Sequence, residues 1–269
     1  MPARKYGPIL DDLYARYNRR AYVSPDPLQF LYDYEDLRDR EAAGLVAASL
    51  AVGRVAMILR NVAAVLERLG PRPATFIEGA SADGLRRRLA GLRHRFFTGE
   101  DVAGLLWGVR RMQRQGGSVG VFFARAAGPH DETVLPALAA LVEELSAAGG
   151  PGAARLLSDP RRKSACKRLN LFLRWMVRCD AVDPGGWHAV PASRLVVPLD
   201  THMHRLGREL GLTARPQANL ATALEITAAF RRLVPDDPVR YDFALTRLGI
   251  RTDTDCDEFL CRCREAGGK

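Results

Sequence analysis

Cysteines are few in this chain, and long hydrophobic runs are absent. The 269 residues include five cysteines, an odd number, with no Cys-x-x-Cys pair. That pattern excludes a fully paired disulfide framework and the usual zinc spacings. No run approaches the ~20 apolar residues of a membrane-spanning helix, and the first ten residues lack the apolar core of a secretory signal. We therefore expect a reduced, cytoplasmic protein that does not cross a membrane.

Strand patterns are also scarce. Only "RLVVPL" is typical of an extended segment, and Pro198 argues against a central strand. Helical spacing of apolar residues dominates instead. It predicts helices over roughly 41–69, 100–114, 131–147, 161–178, 201–210, 218–234 and 238–248. We predict an all-α protein that breaks at the glycine-rich "AAGGPGAA" near residue 150. The predicted parts are a lobe over 1–150, a second lobe over 151–250, and a charged, poorly ordered tail over 251–269.

Positive charge exceeds negative charge, and the formal net charge of +9 favours a polyanionic partner. The densest basic region, 155–178, contains eight basic residues and one acid. On a helical wheel Lys163, Lys167, Asn170 and Arg174 form one narrow stripe. Because side chains four residues apart on a helix are neighbours, Lys163 and Lys167 disfavour each other's ammonium charge, which favours a nucleophilic free amine. A solvated basic face is the alternative interpretation.

Asp200 ends an apolar run and begins the amphipathic segment "THMHRLGRELG". An aspartate at this place is a good N-cap for a helix over 201–210, and that role alone explains it. If the segment were extended, Asp200, His202 and His204 would share one face and could bind a metal. On a helix only His204 shares the face of Asp200, so the helical prediction disfavours the metal site.

Three stretches resemble the helix-hairpin-helix DNA glycosylase superfamily. "VPLDTHMHRLGRELGL" resembles its segment with the catalytic aspartate, and "RKSACKRLNLFL" resembles the helix after its hairpin, which often contains the catalytic lysine. "GLVAASLAVGRVAMIL" is similar to its early helix. The separation of lysine and aspartate is most similar to that of archaeal 8-oxoguanine glycosylases. Stretches such as "SACKRLNLFLRWMVR" and "DPVRYDFALTRLGI" also resemble a bacterial family of conserved hypothetical proteins.

This resemblance implies one glycosylase domain with two helical lobes and a cleft between them. Asp200 would stabilise positive charge at the sugar C1′, and Lys167, with Lys163 in reserve, would form an imine there. The implied reaction is excision of a damaged base, an oxidised purine by this likeness, with AP-lyase activity through the lysine. The implied partner is damaged duplex DNA, bound by a monomer that needs no metal or other cofactor.

Further side chains are expected to contact the DNA. The predicted DNA-binding residues are Arg161, Arg162, Arg168, Asn170, Arg174, His202 and His204. Phe172 and Trp175 are predicted to stack on a flipped base.

Two features depart from the superfamily pattern. The hairpin position is "LSDPRRK", which has no glycine, and Cys256, Cys261 and Cys263 lack the spacing of an iron–sulfur site. Three alternatives stay open: a nucleic-acid-binding protein without catalysis, a metal-dependent hydrolase that uses Asp200, His202 and His204, and an RNA substrate.

Overall fold

Nearly all regular structure is helical in the computed structural model of the chain, which describes residues 3–266. The α-helices are α1 Gly7–Tyr17, α2 Leu37–Ser49, α3 Val55–Leu69, α4 Pro73–Gly79, α5 Ala82–Arg88, α6 Gly99–Gly116, α7 Val119–Ala126, α8 Leu135–Leu156, α9 Lys167–Val177, α10 Thr201–Glu209, α11 Leu220–Arg231, α12 Asp242–Ile250 and α13 Cys256–Ala266. Short 3-10 helices cover Ala3–Tyr6, Arg20–Tyr22, Pro27–Asp33, Pro160–Arg162 and Ala192–Arg194. The prediction of an all-α protein is confirmed.

One small antiparallel hairpin interrupts the helices. It consists of β1 Arg93–His94 and β2 Phe97–Thr98, with His94 opposite Phe97. Two-residue strands are too short for a visible alternation of apolar and polar residues, so the sequence did not predict them. Across residues 3–266, no helix combines the length and the apolar character needed to span a bilayer.

The long helix predicted over 41–69 is two helices. α2 ends at Ser49, and α3 begins at Val55 after a turn in which Gly53 has a φ of 106°. Asp36 caps α2 by accepting from the backbone N–H groups of Arg38 and Asp39. Asp39, which the sequence also allows as an N-cap, lies inside α2, and its buried carboxylate accepts from the N–H of Ala74 at 2.7 Å. The apolar stripe continues across the turn in the sequence and hides the interruption.

The core lies where α2, α6, α8 and α9 pack, and small residues allow the helices to approach closely. A Cβ on Gly104 of α6 would lie 2.5 Å from the carbonyl oxygen of Gly149 in α8. α8 consists of two helical segments that meet at the predicted break, where Gly150, with a φ of 71°, has non-helical backbone angles just before Pro151. The glycine-rich stretch therefore interrupts the helix with a kink. The division into two glycosylase lobes stays a prediction.

The charged tail is also more ordered than predicted. α13 packs on α1 and buries Phe259, Leu260 and Cys263. On its outer face Arg262 pairs with Asp12 at 2.8 Å. The prediction of a poorly ordered tail is therefore wrong for 256–266, which form α13. The last residues of that prediction, 267–269, lie outside the described residues.

Candidate functional site

Two segments far apart in the chain meet at Lys167 and Asp200. Lys167 is the first residue of α9, and Asp200 is the N-cap of α10. Lys167 Nζ lies 3.9 Å from Asp200 Oδ2, and the two side chains are 30% and 35% exposed. Asp200 Oδ1 accepts from the N–H of Met203 at 2.9 Å, which confirms the predicted N-cap. One carboxylate oxygen therefore fixes the helix start while the other faces an amine that solvent can reach.

The helix predicted over 161–178 begins only at Lys167. Before it, Asp159 caps a short 3-10 turn, and Lys163 and Cys166 both have left-handed backbone conformations, with φ of 60° and 49°. Lys163 is exposed and does not lie one turn before Lys167 on a shared helix. The predicted Lys163–Lys167 neighbour effect is therefore wrong. The structure pairs Lys167, and not Lys163, with Asp200.

The segment Leu157–Lys163, matched to the superfamily's hairpin, has no glycine but still uses glycine-like geometry. A left-handed conformation costs a non-glycine residue about 1–2 kcal/mol, and it occurs at Lys163 and again at Cys166. The carbonyl of Lys163 accepts from the N–H of Leu220 at 3.1 Å, which ties the turn to α11. Arg162 and Lys163 are exposed there, and Arg161 is exposed but paired with Asp159 and Glu143. The turn therefore presents positive side chains.

Four predicted DNA contacts on α9 are buried. Asn170 is 1% exposed and Arg174 is 2% exposed, while Phe172 and Trp175 are 0% exposed. Their predicted roles in DNA binding and base stacking are wrong, because α9 is covered by other elements. A Cβ on Gly44 of α2 would lie 3.3 Å from the Phe172 ring. Arg168 is partly buried too, with Nη1 donating to the carbonyl of Ser49 and its guanidinium over the Phe97 ring.

The two histidines of α10 contact backbone carbonyls. His202 Nε2 lies 3.1 Å from the carbonyl oxygen of Leu245, and His204 Nε2 lies 2.9 Å from that of Arg215. Both rings are only partly exposed. Among residues 3–266, no three His, Cys, Asp or Glu side chains are placed to hold a metal ion together. Asp200, His202 and His204 therefore do not form the ligand set that the metal-dependent hydrolase would need.

A buried ionic network lies behind the Lys167–Asp200 pair, and the sequence analysis missed it. Arg174 lies 3.2 Å from Asp183 and 2.5 Å from Asp242. Arg178 also pairs with Asp183, and with Asp180 at 2.8 Å and Asp237 at 3.0 Å. Burial raises the pKa of Asp242 to about 6, although Arg174 opposes the shift. The sequence offered one clue, an excess of acids in 180–183 and 236–242 after a basic helix.

The β1–β2 hairpin places an aromatic side chain in solvent. Phe96 at its turn is 66% exposed, next to Arg95 in a left-handed conformation. The stem is held by His94, which contacts the Val52 carbonyl at 3.0 Å and the Asn61 side chain at 2.8 Å. Arg168, the residue after Lys167, lies over the ring of Phe97. The hairpin is thereby joined to the start of α9.

Comparison with known proteins gives one family. A family model described as "Protein of unknown function (DUF2400)" matches residues 26–251. The match includes α9, α10 and α12, and hence Lys167, Asp200 and Asp242. No curated protein and no solved structure matches the chain.

Proposed function

The chain belongs to the DUF2400 family, and we propose that it is a DNA glycosylase that excises a damaged base, with AP-lyase activity through Lys167. One observation carries the proposal: the Lys167 amine and the Asp200 carboxylate, from two distant segments, lie 3.9 Å apart and about one-third exposed. An amine nucleophile beside a carboxylate can cleave a glycosidic bond through a covalent intermediate.

The geometry suits a cationic transition state. As the bond between C1′ and the base breaks, positive charge develops on the sugar, and a fixed carboxylate stabilises it. Asp200 Oδ2 is fixed because Oδ1 is bound to the Met203 N–H. The base leaves with the bonding electron pair and takes up a proton. The unprotonated amine of Lys167 bonds to C1′, the sugar ring opens to an imine, and loss of a 2′ proton expels the 3′ phosphate.

Charge near the pair supports a nucleic-acid substrate. The exposed side chains of Arg162 and Lys163 lie in the turn just before α9. The β1–β2 hairpin, which contacts Arg168, presents two more exposed cations, Arg93 and Arg95, and the exposed ring of Phe96. Cationic side chains bind DNA phosphates without regard to sequence, and they place a substrate at the pair.

Borohydride trapping on duplex DNA with one abasic site tests the proposal. Reduction of the imine links protein to DNA, and we expect the adduct in the wild type and its loss in Lys167→Ala. Lys163→Ala is the matched control, because Lys163 is four residues away and exposed but is not paired with Asp200. Only four lysines occur, Lys5, Lys163, Lys167 and Lys269, so a full set of variants is practical. An adduct that survives in Lys167→Ala contradicts the assignment.

Base release identifies the substrate class. We expect release from oligonucleotides with single defined lesions, beginning with oxidised purines, at low salt because phosphate contacts weaken as salt rises. Asp200→Asn keeps an N-cap side chain but removes the charge, so it should fold and release base far more slowly.

A binding protein of the same fold is the second candidate. This candidate is favoured because Asp200 has a structural role as the N-cap of α10, which explains the residue without catalysis. Firm binding to DNA or RNA, with no adduct and no base release across the lesion panel, would establish that function instead.

A further inference from the structure

The chain enters α9 through a strained turn. Cys166, the residue directly before Lys167, has a φ of 49°, and Lys163 has a φ of 60°. A left-handed conformation is unfavourable for a residue that has a side chain, so contacts from the surrounding structure must hold it in place. The place from which the Lys167 side chain leaves the backbone therefore depends on the contacts that hold this turn.

Asn170 reaches back from α9 to the turn. Its backbone N–H donates to the carbonyl of Cys166 at 2.9 Å, and its side-chain Nδ2 donates to the carbonyl of Ala165 at 3.0 Å. If α9 began earlier, the Ala165 carbonyl would accept from the N–H of Leu169. The Asn170 amide competes for that acceptor, as polar side chains do at helix ends, and so favours a helix that begins at Lys167.

The far side of the turn is tied to the rest of the chain. Cys166 Sγ donates to the carbonyl of Ser158 at 3.1 Å, and the Cys166 N–H donates to Ser164 Oγ at 3.2 Å. Cys166 and Asn170 are both buried, each 1% exposed. Asn170 therefore joins an anchored turn to the first helical turn of α9, which contains Lys167.

We propose that Asn170 is a positioning residue for Lys167: its bond to the Ala165 carbonyl fixes the turn before α9, so that the Lys167 amine meets Asp200 Oδ2. The amine and the carboxylate oxygen are 3.9 Å apart and belong to the starts of two different helices. Without the Asn170 bond the turn can relax, which moves one helix start relative to the other. The catalytic value of this placement rests on the proposed function of Lys167 as the nucleophile.

Carbodiimide coupling on the full chain without DNA tests the placement. The reagent activates the Asp200 carboxylate, the Lys167 amine attacks it, and an amide forms as the urea leaves. Peptide mass spectrometry measures the yield of this Lys167–Asp200 amide. We expect a clear yield in the wild type and about a tenfold lower yield in Asn170→Leu, because reaction between two held groups depends steeply on their geometry.

Asn170→Leu keeps the size of the side chain while it removes the Nδ2 donor. It also removes Oδ1, which is buried and has no donor within the described chain, so the two effects on stability oppose each other. Asn170→Ala removes the same donor and serves as the second variant if leucine does not pack. A wild-type amide yield in either folded variant overturns the proposal.

Asn18→Leu is the matched control. Asn18 is also buried, its Nδ2 donates to Asp180 Oδ2 at 3.1 Å, and its Oδ1 also lacks a donor within residues 3–266. Because its acceptor is charged, loss of this donor should destabilise the fold at least as much as loss of the Asn170 donor. The control should keep the wild-type amide yield. Equal reductions in Asn18→Leu and Asn170→Leu would trace the effect to stability and contradict a positioning role.

Kinetics on abasic DNA keep this inference separate from the proposed function. For Asn170→Leu we expect borohydride trapping at saturating DNA to slow at least about tenfold with Kd unchanged, because the buried side chain acts on the reacting amine and not on DNA binding. A lower amide yield in Asn170→Leu, with no trapping even in the wild type, rejects the glycosylase and keeps the positioning role. Trapping in the wild type, with an unchanged amide yield in Asn170→Leu, does the reverse.

Discussion

At the scale of single residues, Glu41 holds three parts of the chain together. Its buried carboxylate accepts from Trp187 Nε1 at 2.8 Å, from Ser118 Oγ at 3.1 Å, and from the N–H groups of Val119 and Gly120. It thereby joins α2 to the start of α7 and to the loop after α9. Burial raises the pKa of Glu41, and the four donors oppose that shift.

Removal of this carboxylate should be severe. Glu41→Ala leaves four donors without an acceptor, and we expect the free energy of unfolding to fall by about 3–5 kcal/mol. Glu41→Gln keeps one acceptor oxygen and should cost about half as much. Urea denaturation of the two variants beside the wild type measures both values. Equal losses in the two variants would contradict this expectation, because the acceptor oxygen that glutamine keeps would then contribute nothing.

At this scale, the sequence analysis identified Asp200 and Lys167 but misjudged the burial of some neighbouring residues. The cap role of Asp200 was predictable because it depends on local spacing. The burial of Arg174 and Trp175 was not, because a helical wheel shows which residues share a face and not which faces are covered. The contact of Asp242 with Arg174 could not be predicted for a similar reason, since only the fold brings the two residues together.

At the scale of elements, the proposed function gives the β1–β2 hairpin a testable role, insertion into duplex DNA. An apolar side chain inserted between bases can fill the space that a flipped base leaves. Phe96 is exposed at the hairpin turn, next to Arg95. We expect Phe96→Ala to slow base release from duplex DNA at least about tenfold, a part of the few kcal/mol that unstacking costs.

Single-turnover assays on duplex and single-stranded substrates measure this effect. The single-stranded substrate should show little change, because no partner strand has to be separated. Val121→Ala is the control, since Val121 is another exposed apolar residue on a different element, α7. Similar losses on both substrates would argue against insertion.

The same hairpin should weaken in acid. His94 Nδ1 accepts from the Asn61 amide while Nε2–H donates to the Val52 carbonyl, so the neutral ring fits, and burial lowers its pKa from the usual 6.5. The unfolded chain then binds the proton more readily than the fold. The stabilisation is present above about pH 6.5 and is lost as pH falls through the lower folded value.

Unfolding free energies of the wild type and His94→Gln at several pH values between 5 and 8 check this sign. The advantage of the wild type should shrink as pH falls. An advantage that stays constant over this range would mean that the ring does not titrate there.

Elements with clear caps and stops were predictable from sequence. The helix expected over 100–114 is α6, Gly99–Gly116, with a capping box between Thr98 and Asp101. The helix expected over 201–210 is α10. The turn between α2 and α3 was not predictable, because the apolar spacing of three and four residues resumes beyond it.

At the scale of the whole molecule, the distribution of positive charge decides which cations can contact a polyanion. The net charge of +9 was plain from the sequence, but only the fold shows that the buried guanidinium groups of Arg174, Arg178 and Arg247 are paired with carboxylates. The arginines left for a polyanion are the exposed ones, among them Arg162 before α9.

Salt dependence separates the two groups of cations. We expect Arg162→Ala to weaken DNA binding about equally for all sequences and to lower the slope of log Kd against log salt by about one. Arg262→Ala is the control, because Arg262 of α13 is exposed but paired with Asp12 of α1. Fluorescence anisotropy between 50 and 200 mM salt gives the slopes. Equal slopes for the two variants would show that Arg162 does not contact the DNA phosphates.

The double use of Asp200 also bears on how this family can diverge. Its Oδ1 begins a helix while its Oδ2 meets the amine, so an asparagine or serine in its place could still start the helix without supplying a negative charge. Under the proposed function, a single substitution here could therefore yield a well-folded relative without catalytic activity. The residue at this position would then separate catalytic from non-catalytic relatives better than thermal stability does.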